Sequence, residues 1–554
     1  MLENGFSMMS EKGYMGLLHP DTIYTDPKGE AIRKELYKHL YYHFQFQNEL
    51  MLFAEVGDRY KFGVHIYGPI HKPNFKSLWD LFHPSTIDAS FADFGNKDID
   101  LRFKIEDKWN ILGSKKRIVI ITEKELDIIS KFIGDSCAET TRLVAVHSID
   151  ILNILFTISS FKTHVSSFLS IITKCFDETN DVKAGKIKRV QNCFPIHSDY
   201  QMIYSGPHIT NGNSMNKTPW AKCVQKSDYD VIDLNKIDKD YLPRTNYANE
   251  TNIDSFLNFV KGFQFNQNTS NEVLYDRWID YYKVGFRLML NQAGERTLFS
   301  AILPDKSSHI STVLSVTFKN KETLTEFSAI TESIVLDFII KTLNTGALNF
   351  NSILAFPLGI ADKYKPAIFA RTLMLNCLTT AYADLWQEMW DEIYKQETWS
   401  ISDKRLKPFD TLHEDWSWDI PLRNYFERRQ ALVEIDVISA MALGLSLEDL
   451  EMIYTIQFPV LQQNENDTWY DAKGNIVFTC SKGLTGVGVD RPVWNTIRDL
   501  QQGETYVHTI DPKKSELYGG QQVTYYAPFT KCDRIADYRR AWAHFDNIFN
   551  NKEK

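Results

Sequence analysis

Short apolar runs alternate with a helical repeat in the first part of the chain. Residues 14–19 (YMGLLH) form an apolar run ended by Pro20, and the PDTIYTDPKG that follows has the Pro, Asp and Gly content of a loop. Ile32, Leu36, Tyr37 and Leu40 then recur at helical spacing, which predicts a helix over about 30–40. HFQFQNELMLF and KFGVHIYG follow as two β-type runs separated by a polar turn at 57–60. Strand, helix, strand, strand is the order expected where an open α/β sheet closes on an antiparallel hairpin. The first strand lies so near residue 1 that no glycine-rich strand-to-helix turn of the nucleotide-binding kind is expected before it.

Farther on, RIVIIT reads as a strand leading into a helix from about Glu123, and the apolar stretch 143–176 reads as helix packed between domains. Lys183, Lys186, Lys188 and Arg189 make a basic patch ahead of SGPHITNGNSMNKTP, whose Gly, Asn and Pro content predicts a displayed loop. Residues from about 200 to 358 alternate short strands with loops and helices. Residues 370–394 and 422–443 read as helices, the second carrying Leu432, Ile435, Val437 and Ile438 before a stop at Gly444. Ser446 as N-cap and Asp449 three residues on predict another helix holding Leu450 and Ile453. A turn-rich tail with Gly486 and Gly488 ends in an aromatic helix near 538–545.

Composition allows real cores: 43% of the 554 residues are hydrophobic, enough for two to four domains. No segment has the length and polarity of a membrane span, and the N-terminus does not read as a leader, so a cytoplasmic location is expected. Seven cysteines without a CxxC pair argue against a zinc finger or a disulfide framework. The net charge of -9 opposes uniform attraction to nucleic acid, so a DNA-binding reading requires local concentration of cations in one cleft.

Several patterns offer chemistry and are read as ordinary structure. Pro20, Asp21, Asp26 and Lys28 match the PD…(D/E)xK outline of metal-dependent nucleases, but Pro27 interrupts the segment that should be a strand, and a loop is expected. His39 and His43 have metal-ligand spacing on a helix, without the acidic partner of HExxH. GLTGVG at 483–488 shares only its glycines with a phosphate loop. Trp469, Tyr470, Tyr525 and Tyr526 could stack on bases, but hairpin packing accounts for them.

The runs GYMGLLHPDTIYTDPKGEAIRKELYKHLYYHFQFQNELMLFAEV and KFGVHIYG resemble the stretch downstream of the catalytic motif in large Eco57I-type DNA adenine-N6 methyltransferases of restriction-modification or phage-defence systems. DKWNILGSKKRIVII, LPRTNY, GERTLFSAILP, LNCLTTAYADLW and RRQALVEIDVISAMALGLSLEDLEMIYTIQFPV extend the resemblance over most of the chain. It implies a cofactor, S-adenosyl-L-methionine, on a glycine-rich turn, and an Asn-Pro-Pro-Tyr motif that holds a flipped adenine, so that transfer depends on orientation. Neither FxGxG nor NPPY occurs in this sequence, so no catalytic or cofactor-binding residue is assigned.

The expected fold class is therefore mixed α/β and multidomain: the end of a class I methyltransferase sheet (1–80), a connector and helical region (81–180), an α+β target-recognition region (181–360), a helical region (361–460) and a C-terminal α+β region (461–554). Expected partners are double-stranded DNA, a methylase N-terminal half and other defence proteins. The candidate DNA contacts are Lys183, Lys186, Lys188, Arg189, Asn211, Asn213, Asn216, Lys217, Arg244 and Arg296. A non-enzymatic scaffold subunit is the alternative in another class, and a metal-dependent nuclease the lesser one; the nuclease requires Asp21, Asp26 and Lys28 to converge.

Overall fold

The computed structural model describes residues 2–551 apart from 59, 93–99, 107, 136, 195–201, 226 and 250–276, so part of the stretch 200–358 lies outside the described residues. The first sheet is built from β1 (Met15–Pro20), β2 (Leu40–Gln47), β3 (Lys61–Tyr67), β4 (Asn74–Leu81) and β5 (Val119–Thr122), in the order β1-β3-β2-β4-β5. Helix α1 (Glu30–His39) connects β1 to β2, and β3 runs antiparallel between them. The predicted strand, helix, strand, strand unit is thus present, with its hairpin strand inserted in the middle. The sheet continues past residue 80, since β4 pairs parallel with β2 and antiparallel with β5.

Helix α2 (Glu123–Ile133) follows β5 at once because Thr122 and Glu125 form a reciprocal capping box, and Gly134 at φ +76° ends it. Its Leu126 and Ile129 pack with Tyr37 and Phe75 from the other end of the unit. The stretch 143–176 departs from the expected long helix. Helix α3 (Ile149–Ser159) stops after three turns, and β6 (Ser170–Thr173) joins a second sheet instead. Pairing with a strand some 140 residues away decides this outcome, and local apolarity does not report it.

In that middle region β7 (Ile187–Phe194) pairs with β10 (Thr245–Asn249), and β8 (Lys217–Pro219) with β9 (Tyr229–Val231). The second sheet runs β12 (Ser300–Leu303), β11 (Lys283–Arg287), β13 (Val313–Phe318), β6, antiparallel throughout. Helix α4 (Lys321–Glu332) covers it, and α5 (Ile334–Leu343) and α6 (Lys365–Asn376) pack against α4. The helix expected over 370–394 is broken: α6 begins earlier and ends at Asn376, whose amide turns aside to bond Glu332 and the backbone of Ile302.

Helix α7 (Tyr425–Ala442) starts from an Asn424–Glu427 capping box, and α8 (Leu447–Gln457) from the predicted Ser446–Asp449 box after Gly444 at φ +78°. Then come α9 (Pro459–Asn466), the ribbon of β14 (Trp469–Tyr470) and β15 (Ile476–Phe478), the ribbon of β16 (Thr505–Thr509) and β17 (Gln522–Tyr526), and α10 (Arg534–Asn551). Tyr470 and Tyr525 pack into these ribbons. One continuous apolar core runs from Tyr24 to Phe549, through both sheets and the helices between them. Among the described residues no helix is long and apolar enough to cross a membrane.

Candidate nucleic-acid cleft

A cleft of about 240 Å³ opens between the middle region and the C-terminal helices. One wall is the turn 210–216 with the ends of β11 and β12; the other is the first half of α7, then α9 and the loop after β15. The turn is held from inside. Asn211 Oδ1 accepts from the backbone of Ser300, Asn213 Oδ1 from that of Met215, and Asn216 donates weakly, at 3.4 Å, to the carbonyl of Pro207. SGPHITNGNSMNKTP is therefore not a displayed loop: Asn211, Gly212, Asn213 and Asn216 are buried, and the three asparagine side chains supply hydrogen bonds that the irregular backbone lacks.

Six arginines reach this cleft, in two chemical states. Arg296 bonds Asp337 at 2.5 Å and the carbonyls of Glu332 and Ser333, closing the end of α4. Arg429 pairs with Glu465 and Asp537, and Arg534 with Asp436 and Glu465, all within 3.0 Å. Burial works against ionisation of Glu465, yet Arg534 and Arg429 hold its carboxyl down at about 2. Arg423 and Arg428 instead donate to main-chain carbonyls, among them Leu234, Leu378 and Gly212, and burial lowers each to about 10.

Arg287 is the remaining one. Its Nε donates to the carbonyl of Ile209, its guanidinium lies 4.3 Å from the centre of the Phe299 ring, and it has no ion pair among the described residues. Burial pulls Arg287 down to about 10, with Glu295 acting the other way. Lys217, next to Asn216, is likewise half-buried without a carboxylate partner among the described residues; burial, then the charge of Arg287, lowers its pKa. Glu295 spans the cleft, accepting from Asn464 and Ser481 on the opposite wall.

No family model and no curated protein matches this chain. Several solved structures align with it, among them two restriction-modification enzymes. One is the type IIG restriction endonuclease BpuSI, at 12% identity over 78% of this chain and 48% of that one, with a TM-score of 0.23. The other is the type IIL restriction-modification enzyme MmeI, solved in complex with DNA, at 9% identity over 81% and 50%, with a TM-score of 0.30. The chain spans about half the length of each, and no residue is carried over from them.

The remaining sequence candidates lie elsewhere. Lys183 is exposed on the turn before β7, Lys186 bonds Asp181 at 2.8 Å, Lys188 is exposed along β7, and Arg189 lies 3.9 Å from Glu178. Arg244 pairs with Glu516 at 2.6 Å. So Asn211, Asn213, Asn216 and Arg296 come together at the cleft with Lys217 beside them, while the basic patch and Arg244 do not line it. Asp21, Asp26 and Lys28 do not converge: Asp26 and Lys28 are exposed on the loop before α1, whereas Asp21 is buried against His43 and Gln45. Nor do His39 and His43 share a helical face, because α1 ends at His39 and His43 belongs to β2.

Arg287, Phe299, Arg423, Arg428 and Arg429 were not legible as site residues. The signal was present: a cation ending the apolar strand KVGFR, and two adjacent arginines in the first turns of a helix that continues as a largely apolar run. Charges at core positions need a partner or a ligand.

Proposed function

We propose that this chain is the DNA-recognition portion of a site-specific, S-adenosyl-L-methionine-dependent DNA adenine-N6 methyltransferase of a restriction-modification or phage-defence system, and carries the closing strands of the methylase sheet. The observation that carries this reading is the Arg287–Lys217–Phe299 group. Two half-buried cations, Arg287 on the Phe299 ring and Lys217 near enough to Arg287 to feel its charge, both without carboxylate partners among the described residues, suit a phosphate with a neighbouring base. The sheet agrees with the family resemblance, since β1 and β2 run parallel with an antiparallel β3 between them.

The methyl donor is not assigned to this chain. The connection from β1 to α1 holds no glycine-rich turn, and the first residue beyond β1 is Asp21, whose carboxylate is committed to His43 and Gln45. On this reading a methylase half carrying the SAM turn and the adenine-gripping motif completes the enzyme. This chain's residues contribute orientation: the cleft holds the duplex so that a flipped adenine meets that pocket.

Fluorescence anisotropy with duplex DNA over a salt series tests it. The wild-type chain is expected to bind, and Arg287→Gln with Lys217→Gln should weaken binding to unrelated sequences about equally, lowering the log–log salt slope by about 2. Absence of binding by the folded wild-type chain would sink the reading and favour the scaffold alternative. That second reading rests on the internal pairing of Lys186, Arg244 and Arg296.

A further inference from the structure

A buried polar cluster sits inside the first sheet, away from the cleft. His43 on β2 and His65 on β3 are direct cross-strand partners, and Ser77 on β4 is opposite His43 on its other side. Asp21, one residue past β1, brings its carboxylate over this row. Oδ1 lies 3.0 Å from His43 Nε2 and 3.7 Å from His65 Nε2, and one ligand atom from each of the three residues falls within 4.8 Å of the others. Both histidines are fully buried.

The hydrogen bonding leaves this cluster electrically unfinished. Ser77 Oγ lies 2.7 Å from His43 Nδ1 and 3.2 Å from the carbonyl of His43, so when its proton goes to the carbonyl it accepts from Nδ1. In that tautomer His43 Nε2 turns a lone pair toward the Asp21 carboxylate oxygen 3.0 Å away, and a cation between them satisfies both. A proton would satisfy His43 and do nothing for His65, neither of whose ring nitrogens has a hydrogen-bond partner. A single divalent ion satisfies all three residues at once.

We propose that Asp21, His43 and His65 form a binding site for a divalent transition metal of the zinc type. Two imidazoles and a carboxylate are ligands that such an ion accepts at about 2.0–2.2 Å, which places ligand atoms of a tetrahedron about 3.3–3.6 Å apart, between the 3.0 and 3.7 Å that separate the Asp21 oxygen from the two imidazoles. The supporting shell is in place: Ser77 Oγ lies 2.7 Å from His43 Nδ1 and orients the ring, and Gln45 Nε2 donates to the other Asp21 oxygen at 2.5 Å. Gln45 also keeps a buried amide oxygen without a partner, a further donor atom beside the same carboxylate. Gly63, on the same face of β3 as His65, leaves room for the imidazole; a Cβ there would lie 2.1 Å from its Cε1. The ion would pin the segment after the edge strand β1 to the middle of the sheet, a structural role independent of the DNA-binding reading.

The test uses the full chain, loaded with Zn(II) or Co(II), passed through metal-free buffer, and assayed by elemental analysis, thermal melting and the visible spectrum of the cobalt form. One retained ion per chain is expected, with a cobalt spectrum of nitrogen and oxygen ligation and a melting temperature that a chelator lowers by several degrees. His65→Gln and Asp21→Asn should each abolish retention by a chain that still folds, while His83→Ala, at an exposed histidine outside the cluster, should not. Should both variants misfold, the wild-type cobalt spectrum and the chelator response decide. A folded wild-type chain that retains neither metal and melts at the same temperature with or without chelator overturns the proposal, as does retention that survives both substitutions.

Discussion

Gly212 shows how much of the cleft depends on one residue without a side chain. It sits at φ +64°, donates to the carbonyl of Ser300 and accepts from Arg428, and a Cβ there would lie 2.9 Å from Leu375 Cβ and 3.2 Å from Glu332 Oε2. Gly212→Ala should therefore destabilise the fold by about 1–3 kcal/mol, from left-handed strain plus overpacking, measurable by denaturant unfolding. The Glu332 beneath it carries a pH signature. Burial raises its carboxyl to about 8, against hydrogen bonds from Asn376 and Ser328 and the charges of Arg428 and Arg296. The folded state thus binds a proton that the unfolded state releases near the usual carboxylate value. Its contribution to stability is fully present below about pH 4.5 and is lost as pH rises through about 8. Glu332→Gln, which keeps shape and stays neutral, should flatten that part of the stability–pH curve, by an amount on the order of a few kcal/mol. An unchanged slope between pH 5 and 8 would remove Glu332 as its source.

Among elements, those with local signals were legible and those fixed from afar were not. Helix α8 announces itself through Ser446 and Asp449, and α2 through Thr122, Glu125 and Gly134, because caps and stops are satisfied within a few residues. Nothing local places β3 between β1 and β2, or tells that His43 faces His65; register is a property of two strands. The turn 210–216 was misread for the same reason. Its Asn and Gly content marks irregular backbone, but Ser300 and Leu375, about 90 and 160 residues later, decide that it is buried. The edge strand β1 pairs on one side only, with Leu18 53% exposed. Sheet edges of this kind invite pairing, so Leu18→Lys should leave the melting temperature nearly unchanged. If a methylase half docks along this edge, the same substitution should weaken reconstitution of methyl transfer, read by labelled methyl incorporation into DNA.

On the scale of the whole chain, the mixed α/β class was readable, but how distant segments meet was not. A hydrophobic pattern reports which faces are apolar without saying which distant face each one meets, and here they meet in one core. The cleft shares this property, since its walls come from residues near 210, 290, 425 and 465. The conspicuous run Lys183, Lys186, Lys188 and Arg189 lies outside it, whereas Arg287 ends an apolar strand and Arg428 sits in the buried first half of α7.

Asp436 belongs to α7, yet it accepts from the first backbone N–H of α5, at Ile334, and from Arg534 and Tyr538 of α10. One buried carboxylate thus joins three helices drawn from a span of some two hundred residues. None of them can open alone without stranding a charge away from water. Hydrogen exchange should consequently find the central amides of α5, α7 and α10 opening as one unit with a common free energy, and Asp436→Asn should lower protection in all three together. Exchange confined to α7 in that variant would show the helices to be independent.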